Sequence, residues 1–192
     1  VKLTLGAQRL NEYDLFEAYI HVNLLARRFD EALAAARNAS GAIEIQRNLI
    51  TLKEDLAAQT LHFMGEKEAA AQAAAAALFR LKGLHAEYGE DYRLDLAEAR
   101  VRALQGAAPD EVRTLVEKSM AAAPEDELAA FERRLAYAQI FAIADMTPDV
   151  IEILEPLFQA PSDTSVYIVD LDPAFDEIRD NPEFIAMMDR NR

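Results

Sequence analysis

Four stretches of this 192-residue chain share one pattern, in which a charged run with one or more acids leads into a small or β-branched residue that opens a helical repeat. The opening residues are Ala32 in "RRFDEAL", Ala70 in "GEKEAAA", Val112 in "APDEVRTL" and Val150 in "MTPDVIEIL", at spacings of 38, 42 and 38. Recurrence at this period constrains the fold strongly. A helical hairpin of about that length cannot bury its apolar face alone, so hairpins must stack on their neighbours. The spacing predicts an all-α chain forming one domain over residues 1–192. Its hairpins fall at about 12–40, 42–86, 91–123 and 125–160, with a terminal cap at 161–192.

Apolar residues at three- and four-residue steps support this reading locally. Leu15, Phe16, Tyr19, Ile20 and Leu24 make the first face, and Phe29, Ala32, Leu33 and Ala36 the second. A long helix is expected from about Ala42 to Met64, ended by Gly65, and another from Glu66 to about His85, broken near Gly83 and Gly89. Pro109 followed by Asp110 and Glu111 reads as a helix first turn with acids at its positive end. Thr147 reads as an N-cap with Pro148 just inside. The run "AAAQAAAAALF" (69–79) is expected to be a tightly packed helix, since alanine favours helix and lets neighbouring backbones approach. Only six glycines and seven prolines interrupt the chain, and 52% apolar content is ample for a core.

These residues resemble the tetratricopeptide repeat, a helix–turn–helix unit with small residues where helices cross, a turn glycine, and an aromatic then an alanine opening the second helix. "LARRFDEALAAARNA" (24–39) carries the aromatic–acid–acid–Ala opening, and Gly65 supplies a turn glycine. Ala58, Ala99 and Ala138 fall near the small crossing position, and Pro124 closes the third unit. Ile20, Val112 and Val150 depart from the pattern by replacing small residues. The likeness covers about residues 12–160. The end of the chain is similar to the terminal segment of such repeats at the C-terminus of bacterial signalling proteins, among them serine/threonine kinases, nucleotide cyclases and winged-helix regulators. It carries a Leu-Asp-Pro at 171–173 and an Arg-Asp-Asn-Pro-x-Phe at 179–184. The resemblance implies a right-handed superhelix whose first helices line a concave groove.

Physical chemistry agrees on the ending. Asp172–Pro173 and Asn181–Pro182 each read as an N-cap followed by a first-turn proline, giving two short helices. Phe175, Ile178, Phe184, Ile185 and Met188 are expected to cover the open end of the stack. The chain begins on Val1, as expected for a fragment with further domains upstream.

Charge and motifs narrow the function. The net charge is −14, and half of it lies in residues 151–192, a surface that repels nucleic-acid phosphates and anionic lipid headgroups. The longest uncharged apolar runs, near Ala69–Phe79 and Leu135–Ala144, are about half a bilayer span, so no membrane insertion is expected. With no cysteine, thiolate chemistry is out. The "DLDPAFD" run (170–176) alternates carboxylates as calcium loops do, but its fifth, sixth and twelfth positions are Ala174, Phe175 and Asn181, which supply no such ligands. His21, His62 and His85 show no metal-ligand spacing, though His21 and His62 could share a polar contact across the groove. Phosphate-loop, dinucleotide and nucleophile-elbow motifs are absent. The expectation is a chain that is not an enzyme, has no cofactor and no metal, lies in the cytoplasm, and binds a protein or peptide partner or another copy of itself. A small-ligand sensor is the alternative. Groove-facing residues are expected to be Glu17, His21, Leu24 and Leu25 in the first hairpin, Asp55, Gln59, His62 and Phe63 in the second, and Leu135, Gln139, Ala142 and Ile143 in the fourth.

Overall fold

The computed structural model describes residues 15–39, 43–45, 49–124, 127–160 and 164–192, with backbone alone at 15–17, 43–45 and 127–129. Among these residues the chain is all-α apart from one two-stranded ribbon. Its helices are α1 (Leu15–Leu25), α2 (Phe29–Asn38), α3 (Lys53–Phe63), α4 (Lys67–Tyr88), α5 (Tyr92–Leu104), α6 (Pro109–Ala122), α7 (Glu127–Ile143) and α8 (Thr147–Gln159). The C-terminal part adds α9 (Val166–Leu171), a 3-10 helix (Pro173–Ile178) and α10 (Pro182–Arg190). Residues 12–14, expected to open the first hairpin, lie outside the described residues.

One backbone device makes all four hairpins. At the end of each first helix, a residue enters the left-handed region: Arg27 (φ 58°), Gly65 (φ 80°), Gly106 (φ 74°) and Asp145 (φ 56°). Each donates its N–H to the carbonyl three residues back, and the next residue donates to the carbonyl five back, as in Gly65 to His62 (2.9 Å) and Glu66 to Leu61 (2.9 Å). This pair of hydrogen bonds satisfies carbonyls that a helix end would otherwise orphan. The second helix then starts, and its opening residues Ala32, Ala70, Val112 and Val150 have no exposed surface. From the left-handed residue to the opening residue is five positions in three hairpins and six in the third, where Ala107 and Ala108 together bridge the turn. That added residue belongs to the longer spacing, 42, before Val112.

Small residues set how closely helices cross. Ala58, Ala99 and Ala138 are fully buried, and Ile20 occupies the same kind of position in the first hairpin, also with no exposed surface. Each second helix packs on its own first helix and on the first helix of the next hairpin: α2 on α3, α4 on α5, α6 on α7. First helices also meet, α3 with α5 and α5 with α7. The buried residues fall into two clusters. A small one joins Ile20, Leu24, Ala32 and Leu33 to Leu56, Leu61 and Ala70. The large one runs from Leu52 and Leu81 through α5 to α8 and into the C-terminal segment. Phe63 and Ala73 pack against both.

Several expectations need correction. The helix anticipated from Ala42 is instead an antiparallel ribbon, Ile43–Ile45 against Ile50–Leu52, with α3 starting only at Lys53. "IEI" and "ITL" are rich in β-branched residues, which suit an extended backbone better than a helix. Ile50 and Leu52 are buried in the large core beneath α5. Gly83 does not break α4, which runs on to Tyr88 and ends at Gly89 (φ 75°). Thr147 is the first helical residue and not the cap; its hydroxyl oxygen accepts from Asn181 Nδ2 at 3.4 Å.

The ending has the anticipated caps, with Asp172 accepting from Ala174 N and Asn181 from Glu183 N and Phe184 N. Phe175, Ile178, Phe184 and Met188 are buried, and the Phe175 and Phe184 rings stack at 6.1 Å. Ile185 is instead 44% exposed, and Met187 takes the buried place, because a helix presents positions 184, 187 and 188 to one side. The segment also does more than cap the last helix. While α10 rests on α8, the 3-10 helix lies against α7, a first helix.

Arg27 and Asp145 hold a conformation that a side chain disfavours. Replacing Asp145→Gly should therefore stabilise the chain by about 0.5–1 kcal/mol, and Gly106→Ala should destabilise it by about 1 kcal/mol. Urea titration of the three chains checks both signs.

Candidate functional site

A cavity of about 350 Å³ opens among α1, α3, α7 and the start of the 3-10 helix. Its apolar walls are Ile20, Leu24 and Leu25 from α1, Leu49, Leu56 and Phe63 around α3, and Leu135, Ala136 and Ile143 from α7. Ala18, Pro173 and Ala174 complete the rim. The polar lining is His21, Thr51, Gln59, Arg100, Glu132, Gln139 and Asp172. First helices contribute most of the walls because their short crossing residues face the neighbouring helices, which turns the larger side chains inward.

The floor is a buried ion pair. Asp55 is 1% exposed and Arg100 8%, and Arg100 Nε donates to Asp55 Oδ2 at 2.9 Å. Gln59 donates to the other carboxylate oxygen at 3.2 Å, and Arg100 Nη2 reaches the Ile50 carbonyl at 3.4 Å. This network joins α3, α5 and the second strand. On the far wall, Gln139 Nε2 donates to Asp172 Oδ2 at 2.6 Å while Asp172 Oδ1 caps Ala174 N at 2.9 Å. Arg179 donates to the Asp172 carbonyl at 2.9 Å. The C-terminal segment is thereby fixed as one side of the cavity.

Of the residues expected to face a groove, the cavity brings together His21, Leu24, Leu25, Gln59, Phe63, Leu135, Gln139 and Ile143. Asp55 lies beneath the lining, consumed by Arg100 and Gln59. Ala142 is fully buried in the large core, one position round the helix from Ile143. His62 falls outside the lining, edge-on to the Phe63 ring at 5.7 Å between centroids. His21 borders the cavity and His62 does not, so the two do not share this lining. Glu17 sits in the first turn of α1, and its side chain lies outside the described residues.

Residues the sequence did not single out complete the site. Arg100 gave a weak signal, a cation following the small crossing residue Ala99. Asp172 was visible as a cap, but nothing in the sequence pairs its second oxygen with Gln139, 33 residues away.

The carboxylates of the calcium-like run diverge: Asp170 goes to Arg192 (2.9 Å), Asp172 to Gln139, and Asp176 to Arg27 and Arg179. Among the described residues no group of three or more His, Asp or Glu is placed to hold a metal, and no helix is long and apolar enough to cross a membrane.

Burial lowers the His62 pKa below its ordinary 6.5; Glu177 pulls it up and Lys67 pushes it down. Burial opposes ionisation of Asp176, but hydrogen bonds from Arg27 and Arg179 outweigh it and hold this carboxyl below its ordinary value.

No family model matches the chain, and no curated protein or solved structure is detectably similar to it.

Two measurements follow from this geometry. A folded pKa below the unfolded 6.5 means the unfolded chain takes up the His62 proton first, so stability present above about pH 6.5 falls as pH drops below it. His62→Gln should flatten the Tm between pH 7 and roughly 5, a window above the carboxylate titrations. Separately, Arg100→Ala leaves Asp55 buried and unpaired and should cost about 3–5 kcal/mol, whereas the double change Asp55→Leu with Arg100→Met should recover most of that loss. Denaturant melts of both read the difference.

Proposed function

We propose that this chain is a non-enzymatic interaction module, a tetratricopeptide-type superhelix that takes a short peptide segment of a protein partner on its inner face. Successive hairpins packed in chain order, with a shared turn and small crossing residues, support that architecture. The observation that carries the functional reading is the cavity itself. Its apolar walls come from three first helices, and four of its polar groups are already held in hydrogen bonds, Gln59 and Arg100 to Asp55 and Gln139 to Asp172, an arrangement that suits an apolar side chain better than a reacting group. Such an anchor pocket, with satisfied polar groups at its edge, is how helical grooves hold peptides.

The C-terminal resemblance supports a finer setting, in which the module is the regulatory end of a larger cytoplasmic bacterial signalling protein whose other domains supply catalysis or DNA binding. A second copy of the chain is a partner of the same kind. The acidic surface disfavours nucleic acid as partner.

One observation favours a second reading. About 350 Å³ falls within the size range of small-molecule pockets, so a metabolite-sensing role has a physical basis.

A phage-displayed random peptide library panned on the full chain tests the first reading. Selected peptides should lose at least about ten-fold in affinity to Leu135→Arg, which puts a charge into the apolar wall. Peptides that ignore this change overturn it. A metabolite giving about 2.7 kcal/mol of stabilisation at roughly a hundred times its Kd favours the sensor instead.

A further inference from the structure

The cavity rim brings the two ends of the described chain close together. Leu24 and Leu25 of α1 stand on one side and Pro173 and Ala174 on the other. Two residues beyond each, Arg27 and Asp176 meet in a two-pronged ion pair spanning 149 positions of sequence, with Arg27 Nη2 donating to Asp176 Oδ1 at 2.9 Å and Nη1 to Oδ2. Next to it, Lys67 Nζ at the start of α4 lies 2.9 Å from Glu177 Oε1. We propose that these pairs form an ionic latch between the first two hairpins and the C-terminal segment, and that it sets the width of the cavity mouth. The proposal rests on the cavity being the place where a partner binds.

Three features fit a latch and not a permanent weld. First, the charged groups are substantially exposed, with side-chain exposure of 38% and 43% for Arg27 and Asp176, and 67% and 43% for Lys67 and Glu177. Exposed pairs are individually weak and screened by salt. Second, the two jaws belong to different hydrophobic clusters, the first hairpin to the small one and the 3-10 helix to the large one. Third, opening strands no buried charge, because Asp176 keeps Arg179 Nε at 2.7 Å within its own segment and the Arg27, Lys67 and Glu177 side chains are exposed to water.

The backbone at Arg27 is also strained. It sits in the left-handed turn position that glycine fills at 65 and 106, so an arginine is kept there against its own conformational preference. Asp145 holds the same conformation in the fourth hairpin, so the strain is compatible with the latch and does not by itself mark Arg27.

The chain has no cysteine, so Arg28→Cys and Asp180→Cys, two exposed positions, accept spin labels only where placed. Pulsed electron–electron resonance distances across the mouth should show a short population at low salt. At about 1 M salt a longer population should grow roughly two- to five-fold, the change that losing one or two exposed ion pairs supplies. Asp176→Asn with Glu177→Gln should show that longer population at low salt and no further response to salt. Arg27→Gly is the sharpest arm, since it should open the mouth while leaving Tm equal to or above that of the unsubstituted protein. A distance distribution unmoved by salt and by both variants overturns the latch. These distances need no ligand, so a failure of peptide capture and a failure of the latch are separate results.

Discussion

Each hairpin reverses through one residue held in the left-handed region, and five or six residues later comes a residue with no exposed surface. The reversal satisfies the last carbonyls of the first helix, and the buried residue fixes how deeply the second helix seats. Because the same geometry recurs, the first helices come to lie beside one another, with small residues at their crossings. Larger side chains are left to project inward, and the cavity is the space they enclose. A change in any one turn would tilt one wall relative to the rest.

Two hydrophobic clusters divide the work of holding the stack. The smaller depends on Ile20, Leu24 and Leu33 meeting α3, while the larger extends through the last three hairpins and the C-terminal segment. Polar groups tie across the joins: Asp55 to Arg100 between the second and third hairpins, and Arg113 to Asp149 at 2.9 Å between the third and fourth. The buried Asp55–Arg100 pair contributes less to net stability than to fixing one arrangement, because desolvation offsets most of its attraction. The Asp55 network also anchors the strand at Ile50, which keeps the ribbon against the cavity floor.

Helix positions were largely legible from the sequence because the apolar spacing and the acids before Ala32, Val112 and Val150 are local signals. The ribbon was not. "GAIEIQRNLITLKEDL" contains apolar residues compatible with either period, and what selects the extended form is burial of Ile50 and Leu52 beneath α5, a contact with residues about 50 positions away. The site divides the same way. Leu24, Gln59, Phe63, Leu135 and Gln139 could be placed by counting along their own helices. Ala142 was misassigned because positions 142 and 143 differ by about 100° in facing, and only the neighbouring helices decide which points inward. Arg100 carries only a weak local signal of its role and Asp172 reads only as a cap, since their partners Asp55 and Gln139 are distant in sequence and an ionised side chain in a helix or cap looks ordinary until its environment is known.

The wall contributed by Asp172, Pro173 and Ala174 has a practical consequence for anyone shortening this protein. A chain ended before residue 172 would keep all four hairpins yet expose Gln139, Ile143 and the inward side of α7 to solvent, converting a three-sided recess into an open trough. Any measurement on such a truncated form would describe a differently shaped surface from the intact one.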